Sequence, residues 1–477
     1  MNKKARLFIK NIVYATGANL SRIFTTLILT LLLPRLLTVE DYSYWQLYLF
    51  YGTYMIYSSI GWCEGTYLKY GGCEYKDADG RRLSSQFLNL SLYEGIIALL
   101  IGIFVSFCID DSNRKFLVIA AALYMWMYIL KYQLQTVLQA TNRISDYARV
   151  YSGERFLYFI LVIVGLILRW QNVYLVIFAE LISNAASLIY GIYLCRDVTL
   201  KKRLPFSVSL KETAELIRIG YKLTLAGLAS QLIIGIVRFA IEQRWGTVVF
   251  GKISLSFSMA NMIITCITAV SIVLFPMLKN SDSLKIRQYY MTMRSVLTIP
   301  MFGILLIYAP MKSVLTWWLP KYADSLKYLA ILFPLCIYEV RNSVLVWTYL
   351  KVLRKESLIM RANLIMIGVS IATTFLSVSV CDSLDLTVCS IVVLYAIKAV
   401  YTEWLLGKYI PVCAKSDWLV ETVLSCCFIT SSWLLNATGA FLVYTASYVL
   451  YLLYKKKEII ATAKDLKLLL AAERNRT

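Results

Sequence analysis

The 477-residue chain contains no histidine, so the side chain that most often moves protons near neutral pH is missing. Any proton coupling must rest on carboxylates. Charge is scarce: 16% of residues are Asp, Glu, Lys or Arg, against roughly 25% in ordinary soluble domains. No GxxxxGK[ST] phosphate loop occurs, which argues against ATP-driven transport within this chain. The eleven cysteines are scattered, mostly in apolar runs, with no CxxC or Cys/His spacing. They read as small buried hydrophobes rather than as a zinc site or a disulfide framework. No catalytic constellation is visible, so the expectation is a protein that is not an enzyme and binds no cofactor or metal.

What the chain does have is apolar length. It is 59% hydrophobic with a mean hydropathy of +0.65, and runs of about 20 apolar residues, enough to cross a bilayer core, recur from end to end. The pattern predicts an all-α polytopic membrane protein of about fourteen transmembrane helices, over 12–33, 45–68, 88–108, 116–138, 156–168, 173–195, 223–241, 253–278, 295–316, 328–350, 362–381, 386–406, 419–435 and 438–454. No connection between them is long enough for a soluble domain. The opening "MNKKARLFIK" followed by an apolar run imitates a signal peptide. The run is too long, contains Arg22 and lacks a small-residue cleavage site, so it reads as an uncleaved first helix.

The net charge of +21 does not point to nucleic acid, because the basic residues sit in short loops rather than on one amphipathic face. With the N-terminus inside, the cytoplasmic segments hold 35 Lys and Arg and the outer ones 8. The positive-inside rule therefore places both termini in the cytoplasm. Two cytoplasmic pieces look like interfacial helices: "SVSLKETAELIRIGYK", with Ser209 and Glu212 as a capping box, and the tail "KKKEIIATAKDLKLLLAAERNRT". Either could anchor the protein to anionic lipid.

An internal repeat suggests two halves. "TVLQATNRISDYAR" (136–149) and "TYLKVLRKESLIMR" (348–361) match at an offset of 212 residues, pairing Thr136 with Thr348, Leu138 with Leu350, Arg143 with Lys355 and Arg149 with Arg361. This pairs the fourth helix with the tenth, as a tandem six-helix repeat would. The expected organisation is a bundle over 1–200, a linker with an amphipathic helix over 201–222, a second bundle over 223–410, two further helices over 411–454 and a basic tail over 455–477.

Ionisable residues inside spans are functional candidates, because each costs about 2.5–3.5 kcal/mol to insert unless it meets water, a partner or a snorkelling route. Six bases qualify. Arg22, Arg341 and Lys398 lie near mid-helix and point to a wet interior. Lys131, Arg238 and Lys312 lie nearer helix ends, where a long side chain can snorkel; Lys131 and Arg238 join the first three as candidate substrate contacts. Five carboxylates accompany them: Glu64, Glu94, Glu180, Glu339 and Glu403. Glu339, Glu94 and Glu180 are the candidates for ion coupling, with structural ion pairing as the alternative for all five. Glu339 and Arg341 are two apart on one helix, so each must find its partner elsewhere. Aromatics are dense in "YSYWQLYLFYGTYMIY" (42–57) and suit interfacial belts, a minority being able to stack on sugar rings.

The block "GANLSRIFTTLILTLLLPRLLTVEDYSYWQLYLFY", followed by "IGWCEGTYLKYGG" and a basic loop, resembles the polysaccharide-transporter branch of the multidrug/oligosaccharidyl-lipid/polysaccharide exporter superfamily. "LQATNR" after the fourth helix extends the likeness. The resemblance implies two six-helix bundles forming a V around a central cavity, two extra C-terminal helices, and alternating access. It further implies a bacterial cytoplasmic-membrane flippase carrying an undecaprenyl-pyrophosphate-linked oligosaccharide for O-antigen, capsule or exopolysaccharide, with other polysaccharide-assembly membrane proteins as partners. Arg22 takes a family-like place as a phosphate-contacting base; the alternative is a salt bridge to Glu94 or Glu64. A multidrug exporter of the same superfamily is a second reading. A membrane polymerase is disfavoured, because such enzymes need a sizeable outer loop and the longest here is about a dozen residues. The energy source would be a proton or sodium ion, or the membrane potential.

Overall fold

Long apolar runs with few breakers leave helix as the only way to satisfy the backbone in lipid, and the described chain is helical throughout. The computed structural model describes residues 3–464 except 169–171, 202–203, 280–282 and 411–414. Within helices, the side chains of 3–16, 18, 22, 266, 268–279, 283–289, 356, 415 and 416 also lie outside the description. Among the described residues there is no strand. Among the described residues nine helices are long and apolar enough to cross a membrane, or ten if Pro320–Leu332 and Leu335–Val352, bent by 43° at their junction, form one span. This is a multi-pass membrane protein; the count of fourteen remains a sequence expectation.

The chain divides into two compact units, Met1–Gln231 and Leu232–Thr477. The first holds α1 (Lys3–Leu36), α2 (Val39–Met55), α3 (Trp62–Tyr70), α4 (Gly80–Cys108), α5 (Ser112–Ala140), α6 (Ile144–Ile167), α7 (Val173–Leu194), the short α8 (Arg196–Thr199) and the start of α9 (Phe206–Lys279). Between α2 and α3 the second predicted run is broken. A 3-10 turn at Ile56–Ser59 leads to Ile60 in the left-handed region and to Gly61 at φ 94°. Helix starts follow side-chain caps: Thr38, Asp79, Asp111 and Asn172 each accept from a backbone N–H of the first turn.

The capping box expected at Ser209 is not one. The helix has already started at Phe206, after Pro205, and Ser209 donates its own N–H to the Pro205 carbonyl. Ser209 and Glu212 are instead spent on tertiary bonds. The Ser209 hydroxyl accepts from Asn89 Nδ2 at 2.8 Å, while Glu212 pairs with Lys69 at 3.2 Å. This N-terminal end of α9 is docked on α3 and α4 through a buried polar seam.

The second unit holds the rest of α9, interrupted at Gly246 (φ 83°), then α10 (Ser283–Ile304), α11 (Tyr308–Trp318), α12 (Leu326–Leu332), α13 (Leu335–Val340), α14 (Trp347–Val352), α15 (Glu356–Phe375), α16 (Leu384–Gly407), α17 (Lys415–Leu434) and α18 (Ala437–Tyr454). Residues Arg341–Val346 between α13 and α14, and Leu376–Val380 after α15, are wound as π-helix, a form that recurs at functional positions. Beyond the end of that second π turn, Asp382 accepts two bonds from exposed Arg244, at 2.9 and 2.6 Å. These bonds hold the Asp382 carboxyl below the usual aspartate range. The pair therefore persists above the ordinary aspartate pKa and dissolves as pH falls through the lowered one.

The internal repeat has a geometric counterpart. After α5, Asn142 is left-handed (φ 60°) and Arg143 N–H bonds the Leu138 carbonyl at 2.8 Å. Exactly the same closure follows α14, 212 positions on: Arg354 is left-handed (φ 55°) and Lys355 N–H bonds the Leu350 carbonyl at 2.8 Å. Both are Schellman closures, in which a residue past the helix end bonds back five positions. The two units thus end equivalent helices with the same hydrogen-bond scheme, although a non-glycine residue occupies the left-handed position in each.

Candidate functional site

The sequence candidates fall into three groups of side chains. In the first unit, Lys131 is not a snorkelling residue. α5 runs on to Ala140, so Lys131 sits well inside it, fully buried, with its ammonium 2.6 Å from Glu154 and 2.6 Å from Asn184 Oδ1. Glu180, on α7, accepts from Arg155 at 3.4 Å. Two bases and two acids are thereby gathered on α5, α6 and α7, with the buried hydroxyls of Tyr48 and Tyr158 adding unspent polar groups.

Glu94 is different. Completely buried on α4, it has one oxygen 2.7 Å from Ser58 Oγ and the other without a hydrogen-bond partner. Glu64 on α3 also has one buried oxygen without a partner. No ion pair to either occurs among the described residues. The side chain of Arg22, the sequence candidate for both cargo and salt bridge, lies outside the description.

The third group is in the second unit and is the most heavily charged. Buried Arg294 on α10 holds three carboxylates: Glu403 at 2.8 Å, Asp417 at 3.1 Å and Glu421 at 2.9 Å. Arg341, on the π turn and 3% exposed, pairs with Glu421 and lies 3.8 Å from Glu403. Glu403 also accepts from Tyr290 at 2.8 Å and from Trp418 Nε1 at 2.7 Å. Lys455, just past α18, reaches Asp417 at 2.7 Å. In this conformation Arg341 is thus committed to acids on other helices. Lys398, fully buried on α16, lies 5.1 Å above Trp347 and 5.0 Å above Tyr395, and Glu339 is the charged residue acting on it. Arg341 has therefore found its opposite charges on other helices, and Lys398 of α16 acts electrostatically on Glu339. Arg238 is held between Phe250 and Phe257, 5.0 and 5.1 Å away, and donates to Ser254 at 2.9 Å.

Arg294, Asp417, Glu154 and Arg155 escaped the sequence reading because they lie one to two residues outside, or at the very edge of, the apolar runs. Helices continue past their hydropathic ends, so these residues are inside the bundles while scoring as loop. A base within a turn of a run boundary, with acids at the boundary of another run, is the available signal. Glu421 is a different case: it lies inside its run, 419–435, and was missed there.

The architecture has counterparts among solved structures. An inward-facing multidrug resistance MATE family transporter of the MOP superfamily matches with a TM-score of 0.62 at 12% identity, over 82% of this chain and 97% of that one. The lipid II flippase MurJ, in an inward closed conformation, matches with a TM-score of 0.65 at 12% identity, over 94% of this chain and 100% of that one. The fold is that of the MOP-superfamily transporters. A further member of that superfamily, from Pyrococcus furiosus, matches with a TM-score of 0.53 at 13% identity, over 86% of this chain and 98% of that one. No family model matches the sequence, and no curated protein matches it.

Proposed function

We propose that the protein is a flippase that moves an undecaprenyl-pyrophosphate-linked oligosaccharide from the inner to the outer leaflet of a bacterial cytoplasmic membrane. The observation that carries this reading is that α17 and α18 belong to the core of the second unit. Arg294 and Arg341 are neutralised by Glu421 and Asp417 of α17, and Lys455 closes the end of α18. The likeness to a lipid-carrying flippase extends over 94% of the chain, against 82% for the drug transporter. Physically, two phosphates and several sugars cannot cross hydrocarbon unaided, whereas a polar cavity can hold the head while the prenyl chain stays in lipid. No covalent bond need be made or broken.

Arg22 is the proposed contact for the pyrophosphate, since a guanidinium can grip a phosphate through two parallel hydrogen bonds and keeps its charge at any working pH. The test uses proteoliposomes loaded with a fluorescent polyprenyl-pyrophosphate disaccharide and an impermeant glycosidase that reads its exposure. Wild type should translocate it. Arg22→Ala should abolish translocation at near-normal abundance, and Arg22→Lys should lose about tenfold. A wild type that leaves the lipid in place but expels ethidium down an imposed gradient would refute the flippase reading. An exporter of organic cations is the second reading, favoured by Glu64 and Glu94 having no ion-pair partner among the described residues.

Orientation follows from the charge asymmetry of the loops. Single cysteines at Asp324, Asp77 and Asp465, in a background without other cysteines, should react with an impermeant maleimide from outside at 324 alone. Labelling at 77 but not at 324 would invert the topology.

A further inference from the structure

We propose that Glu94 is a proton-binding site, neutral in this conformation, built against the break between α2 and α3. The inference does not depend on the identity of the cargo. Glu403 has Arg294 and Glu180 has Arg155 as ion-pair partners, and the charge of Lys398 acts on Glu339. Glu64 and Glu94 have no basic partner among the described residues, and of the two only Glu94 is fully buried. An isolated carboxylate in a low-dielectric interior is too costly to persist and takes up a proton instead.

The local geometry fits a neutral acid. Ser58 Oγ lies 2.7 Å from Glu94 Oε2 and 3.4 Å from the Met125 sulfur, both within hydrogen-bond reach. A hydroxyl has one hydrogen and two lone pairs, whereas a thioether can only accept. Both contacts can be full two-centre hydrogen bonds at once only if Glu94 donates to Ser58 and Ser58 donates to Met125. Glu94 Oε1, which has no partner, is then a carbonyl oxygen rather than half of an anion, and far cheaper to leave bare.

Among the described residues the surroundings hold no compensating base. From the broken segment come Ser58 and, one residue earlier, Tyr57; from α3, Cys63 and Glu64; from α4 itself, Tyr93, whose hydroxyl donates to the Ser58 carbonyl at 3.2 Å; from α5, Met125. Leu216 of α9 joins the apolar packing around Cys63, Leu90 and Met125. Glu64, next to Cys63 on α3, adds a second acid and no base. The 3-10 turn and the left-handed Ile60 and Gly61 make this the one place in the unit's second span where backbone can shift without breaking a continuous helical ladder.

The test is infrared spectroscopy of the full protein in phosphatidylethanolamine and phosphatidylglycerol vesicles, following the carbonyl stretch of protonated carboxyl groups from pH 5 to 9. Wild type should show such a band, and Glu94→Gln should lose it while Glu339→Gln keeps it. Ser58→Ala, which removes the hydrogen-bond partner and not the acid, should shift the band, and it serves if Glu94→Gln fails to fold. A band unchanged in both Glu94→Gln and Ser58→Ala would overturn the proposal, meaning that Glu94 is ionised and a base such as Arg22 reaches it. A band that disappears on adding sodium chloride at constant pH would also overturn it, in favour of a metal-cation site.

Discussion

Replacing Arg294 with methionine is expected to remove most of the protein from the membrane, and to lower the melting temperature of what remains by on the order of 10 °C. The reason is electrostatic. Arg294 is buried, and its three nitrogens face Glu403, Asp417 and Glu421 on two other helices. Deleting one partner of a buried ion pair costs about 3–5 kcal/mol, because the remaining charge is left without compensation. Here three acids lose a base, and Arg341 and Lys455 are the cations left beside them. Arg294→Lys keeps the charge but cannot serve three carboxylates from three separate nitrogens, so an intermediate loss is expected. Adding Glu421→Gln to Arg294→Met should recover part of the stability. The measurement is thermal unfolding in detergent beside membrane abundance. A melting temperature for Arg294→Met within about 2 °C of wild type would show that the cluster is wet enough for water to replace the arginine.

Helix existence was legible from the sequence because long apolar runs admit little else in a bilayer. The repeated segments 136–149 and 348–361 prove to carry matching helix closures at Asn142 and Arg354. Partnerships were less legible. Hydropathy marks where lipid-compatible sequence begins, not where a helix begins, so Arg294 and Arg155 scored as loop cations and entered the topology count as positive-inside charge. Arg341 and Lys398 were read as intramembrane cations facing water, when the acids near them are contributed by other helices. Which acid meets which base depends on helix rotation and neighbour choice, and a one-dimensional pattern contains neither. The break after Met55 was foreshadowed only by Gly61 and Gly65, because the residues around it are as apolar as any span.

Those glycines underlie the second large effect. Gly220→Ala, a change of one methyl group, is expected to cost about 3 kcal/mol, the upper end of what overpacking usually costs. A Cβ at Gly220 would lie 1.9 Å from the Gly61 carbonyl oxygen and 2.5 Å from the Gly65 nitrogen. From the other side, a Cβ at Gly65 would lie 2.0 Å from the Leu216 carbonyl oxygen, and one at Gly61 would lie 2.4 Å from the Tyr221 nitrogen. All of these neighbours are backbone atoms, so no rotamer change relieves the clash and α9 must move off α3 as a body. Gly102 on α4 is the control, since nothing lies within 4 Å of a Cβ there. Gly102→Ala should leave the melting temperature unchanged or raise it, alanine being the better helix former. The crossing also fixes Gly61, three residues from Ser58, so Gly220→Ala should move the carboxyl band assigned to Glu94 as well as lowering stability. Equal melting temperatures for Gly220→Ala and Gly102→Ala would mean that α9 and α3 do not approach at backbone distance. A large loss of stability with an unmoved band would mean that the helix break keeps its shape without α9, and that only the packing of the unit depends on the glycine contact.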